Sequence, residues 1–148
     1  MILGHSNNVY CKSIKEQVKK GSNYGNENIN EFNYIKSLKK KFNEFDTFIF
    51  SNSGSEANIR ALRISRSATN KNIVVMANGD WHGSVDNFMF DFKHGEKIIP
   101  HEINSLSAGI DYSKKNIILI PYNDIKLTKK ILDKYYKKIS VIVIEPIQ

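Results

Sequence analysis

Apolar positions along this chain alternate between two periods, helical and strand-like. Val9, Tyr10, Ile14 and Val18 recur at helical spacing with lysines opposite, and Gly21 follows Lys20, which predicts a helix over Val9–Lys20. The next stretch, "GSNYGNENIN", is a loop of turn formers. A second amphipathic helix is predicted over Ile29–Phe42, with Phe32, Ile35, Leu38 and Phe42 on its inner face. From Asp46 to Phe50, aromatic and β-branched residues crowd a short run, the pattern of a buried strand. Helical spacing returns over Glu56–Ser67, with Ala57, Ala61, Leu62 and Ile64 on or near one face and Glu56 one turn before Arg60, as an i,i+4 pair requires.

A second apolar run, "NIVVMA", covers Asn72–Ala77 and is followed by "NGDWHG". "SVDNFMFDF" reads as a short helix, and Lys93–Lys115, which has no clear period, reads as a functional loop or lid. "NIILIP" is a third strand-like run. Asp124 then caps a helix carrying Ile125, Leu127, Ile131, Leu132 and Tyr135, and "ISVIVIEPIQ" is a fourth run. Continuous apolar strands alternating with helices predict an α/β fold with a mainly parallel sheet, whose ligands collect beyond the carboxyl ends of the strands. The polar clusters Asn52–Ser55, Asn78–Gly83 and Tyr122–Asp124, and Glu145, all follow a predicted strand.

The hinge "SNSGSEA" at Ser51–Ala57 is small, hydroxyl-rich and centred on Gly54. It admits two readings. Ser and Asn are ordinary helix caps, and free N–H groups at a helix N-terminus are also a seat for an anion.

Composition narrows the classes. With 148 residues, 41% hydrophobic and 25% charged, the chain suits one globular domain and is short for two. The longest apolar runs fall far below the roughly 20 residues that span a bilayer, so no membrane role is expected. Nor does "MILGHSNN" have the form of a secretory signal. Cys11 is the single cysteine, which leaves no internal disulfide and no thiolate metal site and makes the cytoplasm the default setting. The net charge of +7 comes from lysines spread over the polar faces of several helices, as in "KSLKKKF", which reads as a solvated surface and not a nucleic-acid-binding stripe.

In order, "NSGSEAN", "WHG", "PYND" and "VIEPIQ", preceded by "LGH" and "KGSNYG", resemble the motifs of the class III aminotransferases. Each motif is short, but the ordered set covers essentially the whole chain. The resemblance implies the aspartate-aminotransferase-type fold (fold type I), with residues 1–148 as the central part of the large domain, and it implies pyridoxal 5'-phosphate as cofactor. By position, Ser53, Gly54 and Ser55 would form the phosphate cup. Trp81 would stack on the pyridine where the family usually has Tyr or Phe, with His82 in support. Ser22 and Tyr24 would line the substrate entrance. Glu145 would be the Glu-Pro carboxylate that in some branches pairs with a substrate-binding arginine; a strand-end carboxylate bonded to local backbone is the other reading.

The aspartate that pairs with the pyridinium nitrogen and the Schiff-base lysine both follow the Glu-Pro motif in the family. A catalytic residue is therefore expected beyond Gln148 and none within this chain, which reads as a fragment. Within the family, "KGSNYG", "NSGSEA" and "SAGI…PYND" resemble glutamate-1-semialdehyde aminomutase and its relatives, and "EPIQ" resembles the ornithine and 4-aminobutyrate branch. The partners implied are a small amino substrate and a second copy in a homodimer. An omega-amino acid or sugar aminotransferase, a non-catalytic phosphate-binding α/β module and a basic nucleic-acid-binding domain remain alternatives.

Overall fold

The computed structural model describes residues 2–92, 103–110 and 116–147. It divides into two compact units, Met1–Phe48 and Ile49–Gln148. The first holds helices α1 (Asn8–Lys20) and α2 (Ile29–Lys39). Asn7 caps α1 by accepting the N–H groups of Val9 and Tyr10, and Asn28 caps α2 through Asn30 and Glu31, each satisfying amides that a helix start leaves without partners. Neither helix buries a residue. Ile35 and Leu38 are half-buried, whereas Phe32, Phe42, Val9 and Val18 are exposed. The amphipathic pattern identifies the face that seeks cover; it does not say whether the same unit supplies it.

The second unit contains α3 (Gly54–Thr69), β1 (Ile73–Ala77), β2 (Phe90–Phe92), β3 (Ile103–Ser105), β4 (Ile117–Ile120), α4 (Ile125–Tyr135) and β5 (Ile139–Val143). The sheet is parallel, in the order β4-β1-β5. Val74 aligns with Ile117 and Val141, and Met76 with Leu119 and Val143. Because side chains alternate across a strand, these residues share one face, packing with Leu62 of α3 and with Phe88, Phe90 and Ile103. Val75, Ala77, Ile118 and Ile120 point the other way, onto Ile131 of α4. Helices on both sides explain why β1 and β4 read as unbroken apolar runs.

Several expectations are corrected here. Asp46–Phe50 is not a strand: it straddles the boundary between the units, and Ile49 and Phe50 are exposed. Residue types that favour strands still need a partner ladder, and none of the described sheets includes this stretch. Asn52–Ser55 therefore follows a segment without regular secondary structure, not a strand. "SVDNFMFDF" forms turns and then β2, which pairs antiparallel with β3. Phe88 and Phe90, two apart, are both buried, which is strand spacing. Within Lys93–Lys115, β3 is a strand, while 93–102 and 111–115 lie outside the described residues.

On α3 the inward residues are Leu62 with half-buried Asn58, Ile59, Ser65 and Arg66; Ala57, Ala61 and Ile64 face out. Placing three polar side chains, Asn58, Ser65 and Arg66, inward hid the true face from a hydrophobic count. The assignment is testable in urea unfolding. Leu62→Ala should cost about 2–5 kcal/mol, whereas Ile64→Ala, 55% exposed, should stay within about 0.5 kcal/mol. Equal costs would return Ile64 to the core.

Candidate functional site

The exits of the parallel strands carry residues 78–83 after β1, 121–124 after β4 and 144–146 after β5. Beside them stands the first turn of α3. Ser53 is its N-cap, accepting the Glu56 N–H at 3.2 Å, while Glu56 Oε2 accepts the Ser53 N–H at 2.9 Å. This is a capping box. Glu56 thus turns back to the cap instead of forward to Arg60, with which it forms no ion pair among the described residues. The Ser53 hydroxyl is committed to Glu56. The N–H groups of Gly54 and Ser55 carry no hydrogen bond among the described residues, and a Cβ at Gly54 would meet nothing within 4 Å.

After β1 the chain turns at Gly79 (φ 88°) and again at Gly83 (φ 99°). Gly83 is buried directly against Ser55: a side chain there would collide with the Ser55 hydroxyl and come within 2.9 Å of its Cα. Both the left-handed φ and the missing Cβ are needed at this position. Asn58 of α3 donates through Nδ2 to the His82 carbonyl at 2.8 Å, a second tie between the helix and the Trp81–Gly83 loop. The structure therefore brings Ser55, Trp81, His82, Gly83 and Glu145 to one rim. Ser22 and Tyr24 belong to the other unit. There the Tyr24 hydroxyl lies 3.0 and 3.1 Å from the carbonyls of Lys20 and Gly21, and Gln17 donates to the Gly21 carbonyl at 2.9 Å.

Trp81 is 59% exposed, and its backbone N–H donates to Glu145 Oε2 at 3.2 Å. The Glu145 carboxylate is thus bonded to backbone, one of the two readings open for it. His82 is buried, edge-on to Phe88 at 5.6 Å between ring centroids. Its Nε2 has no hydrogen bond and lies 3.7 Å from Asp80 Oδ2. Burial holds its pKa below the ordinary histidine value, against the opposing pull of Asp80, Glu145 and the Val143 backbone. A neutral imidazole follows, suited to packing beneath the loop. Tyr122 donates its hydroxyl to the Glu145 carbonyl at 2.6 Å. A cavity of about 350 Å³ opens beside it, lined by residues that include Ala77, Ile120, Asp124, Ile125 and Ile144. Among the described residues no His, Cys, Asp and Glu group could hold a metal ion, and no helix is long and apolar enough to cross a membrane.

Asp80, Asn58 and Tyr122 lie within the polar clusters and motifs legible in the sequence, which gave none of them an individual role. Asp80 had a signal, an acidic residue between the turn glycine and "WHG"; Asn58 had one as a polar residue on the inward face of α3.

A family model described as "Aminotransferase class-III" matches residues 1–148. Glutamate-1-semialdehyde 2,1-aminomutase of Thermodesulfovibrio yellowstonii is 33% identical over 149 residues, covering 99% of this chain and 34% of the relative. The enzyme of that name from Methanocaldococcus jannaschii is 34% identical over 148 residues, with the same coverages. Among solved structures, a transaminase with PLP bound superposes with a TM-score of 0.85 at 22% identity, covering 97% of this chain and 33% of the other. A glutamate-1-semialdehyde aminomutase from Pseudomonas aeruginosa gives 0.80 at 21% identity, covering 97% and 31%. The chain spans about a third of the length of the curated relatives it matches.

His82 also gives a pH test. With its folded pKa depressed, the unfolded chain takes up a proton first as pH falls below about 6.5, so His82 lowers stability there and has no effect above it. Urea midpoints measured from about pH 7.5 down to about pH 5 should fall more steeply for the parent than for His82→Gln. Parallel curves would show that His82 is not held neutral by the fold.

Proposed function

Because this chain belongs to the class III aminotransferase family, we propose that residues 1–148 form the central part of the large domain of a pyridoxal-phosphate-dependent aminomutase or aminotransferase. The observation that carries the reading is the contact of Gly83 on Ser55, which sets the first turn of α3 against the Trp81–His82 loop. The donor set fits the cofactor. The amides of Gly54 and Ser55 and the Ser55 hydroxyl would take the phosphate, with the helix dipole favouring the dianion. Ser53 stiffens that turn through its capping box. The open space above Gly54 leaves room for the anion, and the exposed Trp81 ring offers a stacking face next to it.

When bound, pyridoxal phosphate supplies an electron sink for chemistry at an amino-bearing carbon. The described residues bind and orient it. Trp81 covers one ring face, His82 supports the loop from below, and Glu145 holds the Trp81 main chain. The reading assigns no catalytic residue within 1–148.

The substrate is a small amino acid or amino aldehyde of the glutamate-1-semialdehyde type, a choice supported by identities of 33% and 34% to the aminomutases. A homodimer working in the cytoplasm completes the reading.

Titration with pyridoxal phosphate, followed through the emission of the sole tryptophan, tests this. Emission should fall as the cofactor stacks on Trp81. Ser55→Ala should weaken binding about ten- to a hundredfold, the worth of a hydrogen bond to a charged group. Gly54→Val should weaken it more, by filling the approach to the amides. Parent-like binding by both variants would place the phosphate elsewhere.

A further inference from the structure

The function proposed above gives Asp80 no part in holding phosphate or ring, yet its side chain is fully buried (0% exposed). A carboxylate removed from water needs hydrogen-bonding partners. Its Oδ2 accepts the backbone N–H of Glu145 at 2.7 Å, the short distance of a charge-assisted bond. The His82 Nε2, at 3.7 Å, is beyond hydrogen-bond range. The bond to Glu145 links the exit of β1 to the exit of its neighbour β5. Glu145 is held at two further points, by the Tyr122 hydroxyl at its carbonyl and by the Trp81 N–H at its carboxylate. Asp80 and Trp81 are adjacent in sequence, so the bonds Asp80 to Glu145 and Glu145 to Trp81 close a small ring across the two strand exits.

We propose that Asp80 is a positioning residue: its buried carboxylate fixes the Glu145 main chain, and through the Glu145 carboxylate it sets where the Trp81 backbone, and hence the exposed Trp81 ring, is presented at the rim. An exposed ring has little packing of its own to locate it, so its placement is inherited from the backbone. The consequence for the cofactor rests on the function proposed above; the mechanical linkage does not.

Amide hydrogen exchange by NMR tests the linkage without cofactor. In the parent the Glu145 N–H should be protected although it lies outside a strand. Asp80→Ala should speed exchange at Glu145 and Trp81 about ten- to a hundredfold, and leave unchanged the Ile73 N–H, which bonds to the Lys138 carbonyl at the opposite end of the sheet. Asp80→Asn keeps an acceptor of about half the strength, so it should show a smaller acceleration at the same two amides. An unprotected Glu145 amide in the parent, or an Asp80→Ala variant with parent rates at both sites, overturns the proposal. If Asp80→Ala unfolds and Ile73 accelerates with the rest, Asp80→Asn decides, and parent rates there overturn it.

Added pyridoxal phosphate then separates the two readings. Parent emission should fall, and the alanine variant should need several-fold more cofactor for the same fall. No response in the parent would sink the function proposed above while the amide rates still judge Asp80. A normal response in an Asp80→Ala variant with accelerated amides would break the link from Asp80 to the ring.

Discussion

The two-sided pairing of β1 is the constraint on which this architecture depends. Val74, Val75, Met76 and Ala77 are buried, with β4 bonded on one edge and β5 on the other. A parallel strand so enclosed can project polar residues only where it ends. Its exit, residues 78–83, is accordingly delivered between the exits of its two neighbours. Asn78 and Asp80 make this concrete: the Asn78 N–H donates to the Ile120 carbonyl at 2.9 Å on the β4 side, and Asp80 receives Glu145 on the β5 side. Shifting the register by one residue would turn Met76 and Val75 to opposite helical layers and dismantle both packing faces.

A second contact joins this rim to α3. Gly83 lies so close to Ser55 that the helix start and the loop behave as a single surface, with Asn58 reinforcing it from one turn further on. The capping box divides the labour of the first turn. Ser53 and Glu56 satisfy each other, and the amides of Gly54 and Ser55 carry no hydrogen bond among the described residues. Such an N-terminus is pre-organised for an anion because the orphan donors and the dipole act together.

The acidic groups at the rim serve as acceptors of main-chain N–H groups. Glu145 receives Trp81 and Asp80 receives Glu145, so the carboxylates hold the loop in place. His82, kept neutral by burial, adds ring packing against Phe88 without adding charge. A rim assembled this way is hydrogen-bonded beneath and leaves the Trp81 ring exposed above.

Much of the local structure, and the family, were legible along the chain. Apolar runs marked β1, β4 and β5, capping residues and turn glycines marked the helix ends, and the ordered motifs around Ser53–Ser55, Trp81–Gly83 and Glu145 pointed to the class III aminotransferases. Only the tertiary structure decided the rest. Asp46–Phe50 has strand-forming residues yet belongs to no sheet among the described residues. Ile64 has the hydrophobicity of a core residue and a position on the outer face of α3, because Asn58 and Arg66 turn the inward face polar. Asp80 became visible as a structural partner of Glu145 only once β1 and β5 lay side by side, 65 residues apart in the chain. Capping, turn chemistry and periodicity act over a few residues and can be read in order along the chain, whereas pairing, burial and long-range hydrogen bonds depend on which segments meet.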